Sequence, residues 1–148
     1  MSTWNARRHP EPPHPFPHSI AGDEWVILSG VAGFDPQTAT LSDDVAEQTR
    51  AVIDNAAWAL EAAGSSWDEV VYIKPHFSSH EAILEADPVI RELLPEPRPA
   101  SGGVIVCGLA SDAIKVEFDV WAHRGARRRT PNRPGRRGRP HTRKGRFP

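Results

Sequence analysis

The sequence predicts one α+β domain in which two helices pack on one face of a mixed β-sheet. Two segments, at about 43–63 and 79–94, carry apolar residues at helical spacing. Short runs rich in β-branched and aromatic residues lie before, between and after them, so the predicted order is strands, helix, strand, helix, strands. The stretch 19–123 that contains these elements is long enough for one modest core.

The first strand region follows a proline-rich beginning. Residues 1–18 contain five prolines, and we expect them to be extended or irregular. The apolar run 25–28 predicts a strand that ends at Ser29-Gly30, and the residues 31–34 are expected to continue extended. Asp35-Pro36 then begins a turn.

The first helix is predicted from about residue 43 to residue 63. Asp44 and Glu47 have the spacing of a capping box, and Gly64 fits the left-handed position that ends a helix. Apolar residues three and four apart predict one buried stripe on this helix. The stripe consists of Val45, Val52, Ile53, Ala56, Leu60 and Ala63.

The second half of the domain is predicted to contain a strand at 70–77 and a helix at about 79–94. Pro88 is expected to interrupt that helix, with Asp87 capping a restart. Prolines 95, 97 and 99 form a stiff connector, and 104–107 and 114–122 are predicted to be closing strands. Two helices cover only one sheet face, so we predict that copies of the chain cover the other, which still carries apolar groups.

Charge divides the chain into two parts. All 19 acidic residues precede position 124, whereas 11 of the 18 Lys and Arg residues lie at 124–148, which leaves 1–123 with a formal net charge of −12. We therefore delimit a Pro/His-rich segment at 1–18, a folded domain at 19–123, and a basic, disordered tail at 124–148. Only this tail is considered for nucleic-acid binding, and a solvated tail, or one that folds back onto the acidic domain, is the favoured interpretation.

Other sequence features argue against a membrane protein, a disulfide or a metal site. No apolar stretch approaches the roughly 18 residues that span a bilayer, and the N-terminus leads into prolines rather than an apolar signal segment. The single cysteine, Cys107, lies in an apolar run and is predicted to be a small buried residue. The histidines have no zinc-binding spacing. A cytoplasmic setting is therefore expected.

Several motifs together resemble the Rid (YjgF-like) family of enamine/imine deaminases over roughly residues 15–123. The motifs are Ser29-Gly30, the residues 47–50 with Asn55, the run 62–71, Pro99-Ala100, and the run 116–122. The resemblance implies a fold similar to chorismate mutase and a homotrimer with a central barrel and a pocket at each subunit interface. It also implies hydrolysis of a reactive imine or enamine, such as 2-aminoacrylate, to a keto acid and ammonia, with no metal or organic cofactor.

The resemblance assigns the catalytic position to Glu117 but departs from the family at Ser101. Glu117 matches an acidic residue that would orient water near the imine carbon and relay a proton; the alternative is an exposed strand carboxylate. Ser101 stands where the family has an arginine that grips the substrate carboxylate, and one hydroxyl cannot replace a bidentate guanidinium. Either another cation serves, with Arg98 as the nearest candidate, or the ligand lacks that carboxylate, or catalysis is lost.

The same resemblance implies a wider set of substrate-binding positions. They are Phe16, Ser29, Gly30, Val31, Asp87, Gly102 and Gly103. Phe16 and Asp87 fall where tyrosine and asparagine are frequent, and Gly102-Gly103 falls where a hydroxyl residue and a cysteine are common. These changes predict either a roomier pocket with less positive charge or a degenerate one, and the glycine pair is equally consistent with a flexible entry to a strand.

Three functional hypotheses remain open from the sequence. The leading one is a divergent Rid-type enzyme that transforms an imine or enamine intermediate. The alternatives are a non-catalytic trimer that binds a small metabolite or a protein, and an RNA-associated module that acts through the tail. His76, on a predicted strand, is either an acid/base in the pocket or, as we favour, a surface or core-edge histidine.

Overall fold

The computed structural model describes residues 19–126, which form a mixed sheet with two helices on one face. The strands are β1 (Ser19–Ala21), β2 (Trp25–Ala32), β3 (Val70–Phe77), β4 (Ala100–Ser101), β5 (Val104–Ile105) and β6 (Val116–His123). The helices are α1 (Val45–Ala62) and α2 (His80–Leu93), and a 3₁₀ turn at Trp67–Glu69 leads into β3. The α+β fold class is therefore confirmed.

The sheet has the strand order β1-β2-β6-β3-β4, and β5 also pairs with β3. β4 and β5 run parallel to β3, and the other pairs are antiparallel. Val116, Phe118, Val120 and Ala122 of β6 are fully buried. They point to the side of the sheet that the helices cover, here called the helix face, and the side chains between them point to the opposite side, here called the open face.

Helix α1 matches its prediction closely. The side chain of Asp44 accepts a hydrogen bond from the amide of Glu47 at 2.8 Å, and Gly64 has a φ of +71°. The predicted stripe is buried except for Ala63, which packs at the edge of the core. The 3.6-residue period was therefore sufficient to identify the buried side of this helix.

Two polar residues of α1 connect the helix to the end of β2 and to neighbouring loops. The Asn55 amide donates to the carbonyls of Ala32 and Phe34 at 3.1 and 2.9 Å, and the Gln48 amide donates to the carbonyls of Ser42 and Ala113. Both side chains are buried, so these bonds satisfy groups that would otherwise destabilise the core. Asn55 and Gln48 belong to the helix motif noted above, and their contacts are structural.

The open face retains a row of large apolar side chains. Trp25 is 39% exposed and meets His123 edge to face, and the rings of Tyr72 and Trp121 lie 4.8 Å apart. Ile27 is the cross-strand partner of Trp121 and is half-buried. Neither helix among residues 19–126 packs on this face, which agrees with the predicted division into a covered and an uncovered side.

Helix α2 corrects one prediction, because it runs without interruption from His80 to Leu93 with Pro88 inside it. Pro88 and Leu84, one turn earlier, both lie on the exposed side of the helix, where water can reach the carbonyl that lacks a donor. Asp87 does not cap a restart; its carboxylate accepts a hydrogen bond from Arg91 Nε at 2.6 Å. In the described part of the chain, no helix is long and apolar enough to cross a membrane.

The segment after Pro99 differs most from prediction. Only Val104 and Ile105 of the stretch 104–107 are in a strand, and that strand lies beside β3 at the edge of the sheet. Cys107 is exposed, so the prediction that it is buried was wrong. The apolar run lies along the edge of the sheet instead of crossing the core, and alternation alone does not distinguish these two positions.

Arg124 is tied to the folded region although it lies at the predicted start of the tail. Its guanidinium donates to the carbonyls of Ala63, Gly64 and Gly22 at 2.7, 2.8 and 3.1 Å. The first two of these bonds satisfy carbonyls at the C-terminal end of α1, where a cation is favoured. The ordered contacts therefore include residues 124–126, and the rest of the predicted tail lies outside the described residues.

Candidate functional site

The predicted site residues that can be placed fall on opposite faces of the sheet. Ser29, Gly30 and Glu117 lie on the open face, whereas Asp87, Arg98, Ser101 and Gly103 line a pocket on the helix face. Phe16 lies outside the described residues. The Val31 side chain packs against the hydrophobic core, and a Cβ at Gly102 would meet no atom within 4 Å.

A β-bulge shapes the open-face group. The pairing of β2 with β6 shifts register between Leu28 and Val31, so Ser29 and Gly30 both lie opposite Asp119. The Ser29 hydroxyl and the Gly30 amide each donate to Asp119 Oδ1 at 3.0 Å. Gly30 has a φ of +67°, a backbone conformation that favours glycine. The bulge therefore holds the Asp119 carboxylate in a defined position.

Glu117 lies beside the same bulge. It is the cross-strand partner of Ala32 on one side and His76 on the other. An ideal Cβ placed at Gly30 would lie 3.6 Å from Glu117 Oε1, so the absent side chain leaves room for the carboxylate. The half-buried Glu117 is held on a rigid central strand, which is favourable for a group that must position water.

His76 belongs to the same group, whereas the sequence had favoured a surface or core-edge histidine at this position. Its Nε2 lies 3.9 Å from Asp119 Oδ2, and its Nδ1 is buried without a hydrogen-bond partner among the described residues. Lys74 is the cross-strand partner of Asp119 and adds a positive charge on the same face. We call His76, Glu117, Asp119 and the Ser29-Gly30 bulge the carboxylate cluster. No three His, Cys, Asp or Glu side chains within 19–126 are placed to hold a metal ion.

The second group lines a cavity of about 350 Å³ between α2, β3 and the segment 98–103, here called the helix-side pocket. This volume lies within the range of small-molecule sites. Seven of the twelve lining residues are apolar: Ile73, Pro75, Phe77, Ile83, Ile90, Leu94 and Pro99. The pocket is therefore suited mainly to an apolar group.

Charged residues at the pocket are paired with one another. Arg91 is bound to Asp87, and this hydrogen bond and the carboxylate charge raise the pKa of the Arg91 guanidinium. Arg98 forms an ion pair with Glu96, and its Nη2 donates to the carbonyl of Arg91 at 2.9 Å. Sequence reasoning missed Arg91, although its position four residues after Asp87 on a helix could have revealed the pair.

Ser101 and Gly103 form the strand side of the pocket. Ser101 pairs with Ile73 and is exposed at the cavity, where it offers one neutral hydroxyl. A Cβ at Gly103 would lie 3.0 Å from Phe77 Cε2, so any side chain there would press on the ring. Glycine at this position therefore avoids a close contact with the Phe77 ring, which also lines the cavity.

The two groups cannot form one site within a single chain. Ser101 pairs with Ile73, whose side chain is buried on the helix face, whereas Glu117 pairs with His76 on the open face. The sheet itself separates them. A site that uses both groups needs the helix-side pocket of one copy and the carboxylate cluster of another.

Comparison with known proteins gives a consistent family assignment. The family described as Endoribonuclease L-PSP matches residues 6–124. A RutC family protein of Pyrococcus horikoshii is 28% identical over 116 residues, which cover 78% of this chain and 91% of that protein. Reactive Intermediate Deaminase A, chloroplastic, of Arabidopsis thaliana is 28% identical over 109 residues, which cover 73% of this chain and 58% of that protein.

A solved structure shows the same fold. The crystal structure of RidA from the Antarctic bacterium Psychrobacter sp. has a TM-score of 0.76 and 26% identity to this chain. The alignment covers 83% of this chain and 99% of that one. Sequence and structure comparisons therefore lead to the same group of proteins.

Proposed function

Because the chain belongs to the Endoribonuclease L-PSP family, which contains the Rid (YjgF-like) proteins, we propose that it hydrolyses a reactive imine or enamine to a carbonyl compound and ammonia. The observation that carries this proposal is the position of Glu117, a strand-held carboxylate beside a glycine bulge and opposite a histidine. The name of the Arabidopsis relative, a reactive intermediate deaminase, supports the same reaction class.

We propose that the site forms between copies of the chain in a homotrimer. The open face carries both the carboxylate cluster and the apolar row with Trp25 and Trp121, so one contact would cover apolar surface and deliver Glu117 to a neighbour. The neighbour would contribute its helix-side pocket. A closed cyclic assembly of three copies repeats this contact three times and gives three equivalent sites.

The cluster contains the groups that imine hydrolysis requires. The Glu117 carboxylate accepts a proton from water as the water oxygen bonds to the imine carbon. As the water oxygen bonds to carbon, the imine nitrogen takes a proton from a protonated His76, which gives a neutral carbinolamine. The Glu117 carboxyl then returns its proton to the nitrogen as the C–N bond breaks, and the His76 imidazole takes the hydroxyl proton as the C=O bond forms. Ammonia leaves, and both side chains regain their starting protonation states. No redox partner is needed, because water provides the oxygen and both protons.

Purified full-length protein tests this proposal with imines that an amino-acid oxidase or an amine oxidase generates in the cuvette. We expect faster ammonia release than in buffer, and we expect Glu117→Gln to lower kcat about a hundredfold or more. The exposed helix residue Glu85→Gln is the matched control and should leave kcat unchanged. Equal rates for wild type and Glu117→Gln would refute the proposal, as would the absence of acceleration with every imine.

Light scattering tests the assembly separately. We expect a particle with three times the mass of the chain, and a monomer at micromolar concentration would contradict the shared site. The three-chain particle should persist in Glu117→Gln, because this substitution preserves the shape of the side chain.

A second candidate function is a non-catalytic trimer that binds a small molecule. The paired charges at the pocket favour it, since no guanidinium there is unengaged among the described residues that line the cavity. In that case Glu117→Gln would bind the molecule as tightly as wild type, and no imine would be turned over. RNA binding through the tail is a separate hypothesis, and residues 124–126 give it no support. A chain truncated after Ala126 keeps the Arg124 contacts and lacks the rest of the tail, so a comparison of its RNA affinity with that of the full chain tests this hypothesis.

A further inference from the structure

We propose that the helix-side pocket receives an uncharged apolar group, and that the preferred substrates are imines of apolar carbonyl compounds without an adjacent carboxylate. The reaction in this statement rests on the proposed function. The ligand preference rests on the pocket alone.

The lining of the pocket is the first support. Its floor consists of the buried side chains of Ile73, Phe77 and Leu94, and none of them can donate or accept a hydrogen bond. The Phe77 ring lines the cavity beside Gly103, so a second ring in the cavity can pack against it. An aromatic or branched aliphatic group fills such a space better than a hydrated anion does.

The charges at the mouth are the second support. Arg91 pairs with Asp87, and Arg98 pairs with Glu96. Both cations at the mouth therefore already have an anion beside them. A carboxylate that entered the pocket would lose water, and it would meet arginines whose charge an acid beside them already balances. It would also lie near those acids, which would repel it. The mouth therefore offers no net attraction to an acid.

Ser101 is the third support and the point at which the preference can be reversed. It is exposed at the cavity and pairs with Ile73 through the backbone, so its side chain can be changed without disturbing the core. An arginine at this position would add an unpaired guanidinium at the mouth. The substitution Ser101→Arg should therefore create the attraction for a carboxylate that the natural residue does not supply.

Two ligands of nearly equal shape test the preference by ligand-detected NMR on the full-length chain. Acetophenone and phenylglyoxylate share a phenyl ketone and differ in a methyl group against a carboxylate. We expect wild type to bind acetophenone at least tenfold more tightly, and Ser101→Arg to lower this ratio at least tenfold. Equal or tighter binding of phenylglyoxylate by wild type would overturn the inference, as would a ratio that Ser101→Arg leaves unchanged.

A pair of tryptophan substitutions on α2 tests whether the pocket is the binding site. Ile83 lines the cavity, whereas the adjacent Leu84 is 62% exposed outside it. We expect Ile83→Trp to weaken acetophenone binding at least tenfold and Leu84→Trp to leave it unchanged. Thermal unfolding checks that both variants fold, and the exposed Ser101→Arg keeps the test valid should Ile83→Trp not fold. The same affinity in both tryptophan variants would exclude this pocket.

Turnover separates the failure of this inference from the failure of the proposed function. The imines of the two ketones differ only in the same methyl group and carboxylate. Hydrolysis of both, with the phenylglyoxylate imine the faster, would refute the inference and leave the function standing. Selective binding of acetophenone without turnover of either imine would refute the function and leave the ligand preference standing.

Discussion

On the open face, Glu117 and Asp119 of β6 lie beside His76 of β3, and hydrogen bonds from the bulge in β2 hold the Asp119 carboxylate. On the helix face, the pocket is lined mostly by apolar side chains, and its charges are paired at the mouth. The first region has groups that transfer protons and little that would recognise a carbon skeleton. The second has a shape that recognises a carbon skeleton and few groups that would transfer protons.

The physical origin of the difference is the period of the strands. From Val116 to Val120, β6 alternates buried Val or Phe in the core with an acid on the open face. In the same way, β3 places Ile73 and Phe77 in the core and His76 on the open face. One sheet can therefore carry a packed core and a polar surface on the same strands. The helix-side pocket and the carboxylate cluster lie on opposite sides of the sheet. A molecule bound in the pocket of one copy therefore cannot reach the carboxylate cluster of the same copy.

Mixing two inactive variants gives the largest effect that this comparison predicts. Ile83→Trp damages the pocket and leaves the cluster intact, and Glu117→Gln does the reverse. If each site combines the two regions of neighbouring copies, trimers re-assembled from an equal mixture should regain roughly one quarter of wild-type activity, since one site in four receives both intact halves. Activity is measured as ammonia release after unfolding and refolding together. The separately refolded parents, mixed afterwards, are the control.

No recovery from the co-refolded mixture would contradict a shared site, provided that light scattering finds trimers. Recovery in the control mixture would mean that copies exchange without unfolding, and it would still support sharing. Full activity of either parent alone would show that its region is not needed.

Replacing His76 gives the next largest effect and tests whether this side chain transfers a proton in the carboxylate cluster. We expect His76→Gln to lower kcat by about ten- to a hundredfold, because glutamine can keep a hydrogen bond but cannot transfer a proton. The KM should change less than twofold, since the pocket is untouched. The dependence of kcat on pH should also change, because the substitution removes an ionisable group from the carboxylate cluster. His80→Gln, at the exposed start of α2, is the control. An unchanged pH profile would assign His76 a structural role.

The sequence predicted the elements that have a clear period or a clear boundary. The bounds of α1 and β3 and the left-handed Gly64 needed only local information, and the order of the elements was sufficient to predict the α+β class. The strands β1, β4 and β5 have two or three residues each, so they carry too few positions to show alternation. Their place in the sheet depends on partners far away along the chain.

The site was predicted only as a set of positions, and its division could not be predicted. Glu117 and Ser101 were named together because the resemblance places them in one family pocket. Their separation by the sheet depends on the register of β3 with two different neighbours. The sequence favoured a surface or core-edge role for His76, because a lone histidine on a strand usually has no catalytic function. Only the fold reveals that Asp119 and Glu117 lie beside it. Arg91 was missed because it matches no motif.

Arg124 lies at the C-terminal end of α1 and provides a test away from both regions. Its guanidinium makes three hydrogen bonds to carbonyls, so Arg124→Ala should lower the free energy of unfolding by about 2 kcal/mol. Arg50→Ala removes an exposed ion pair with Glu92 and should lower the free energy of unfolding much less. Urea unfolding measures both, and kcat of the folded fraction should stay unchanged. A large loss of kcat in Arg124→Ala would mean that the two regions are not the whole site.

Glu69 gives the smallest expected effect, and its sign depends on pH. Hydrogen bonds from the Gly125 amide and the Ser65 hydroxyl lower the pKa of the Glu69 carboxyl below its ordinary value of 4.5. A depressed pKa in the folded state stabilises the protein above the unfolded pKa, and that stabilisation disappears as the pH falls through the folded value.

Glu69→Gln should therefore lower the free energy of unfolding by less than about 1 kcal/mol at pH 7, because the group is largely solvated. The difference from wild type should shrink towards zero below about pH 4, as the wild-type carboxyl becomes neutral. Urea midpoints at pH 7 and pH 3 measure it, with the exposed neighbour Asp68→Asn as control, and a difference that grows in acid would mean that these bonds do not stabilise the folded state.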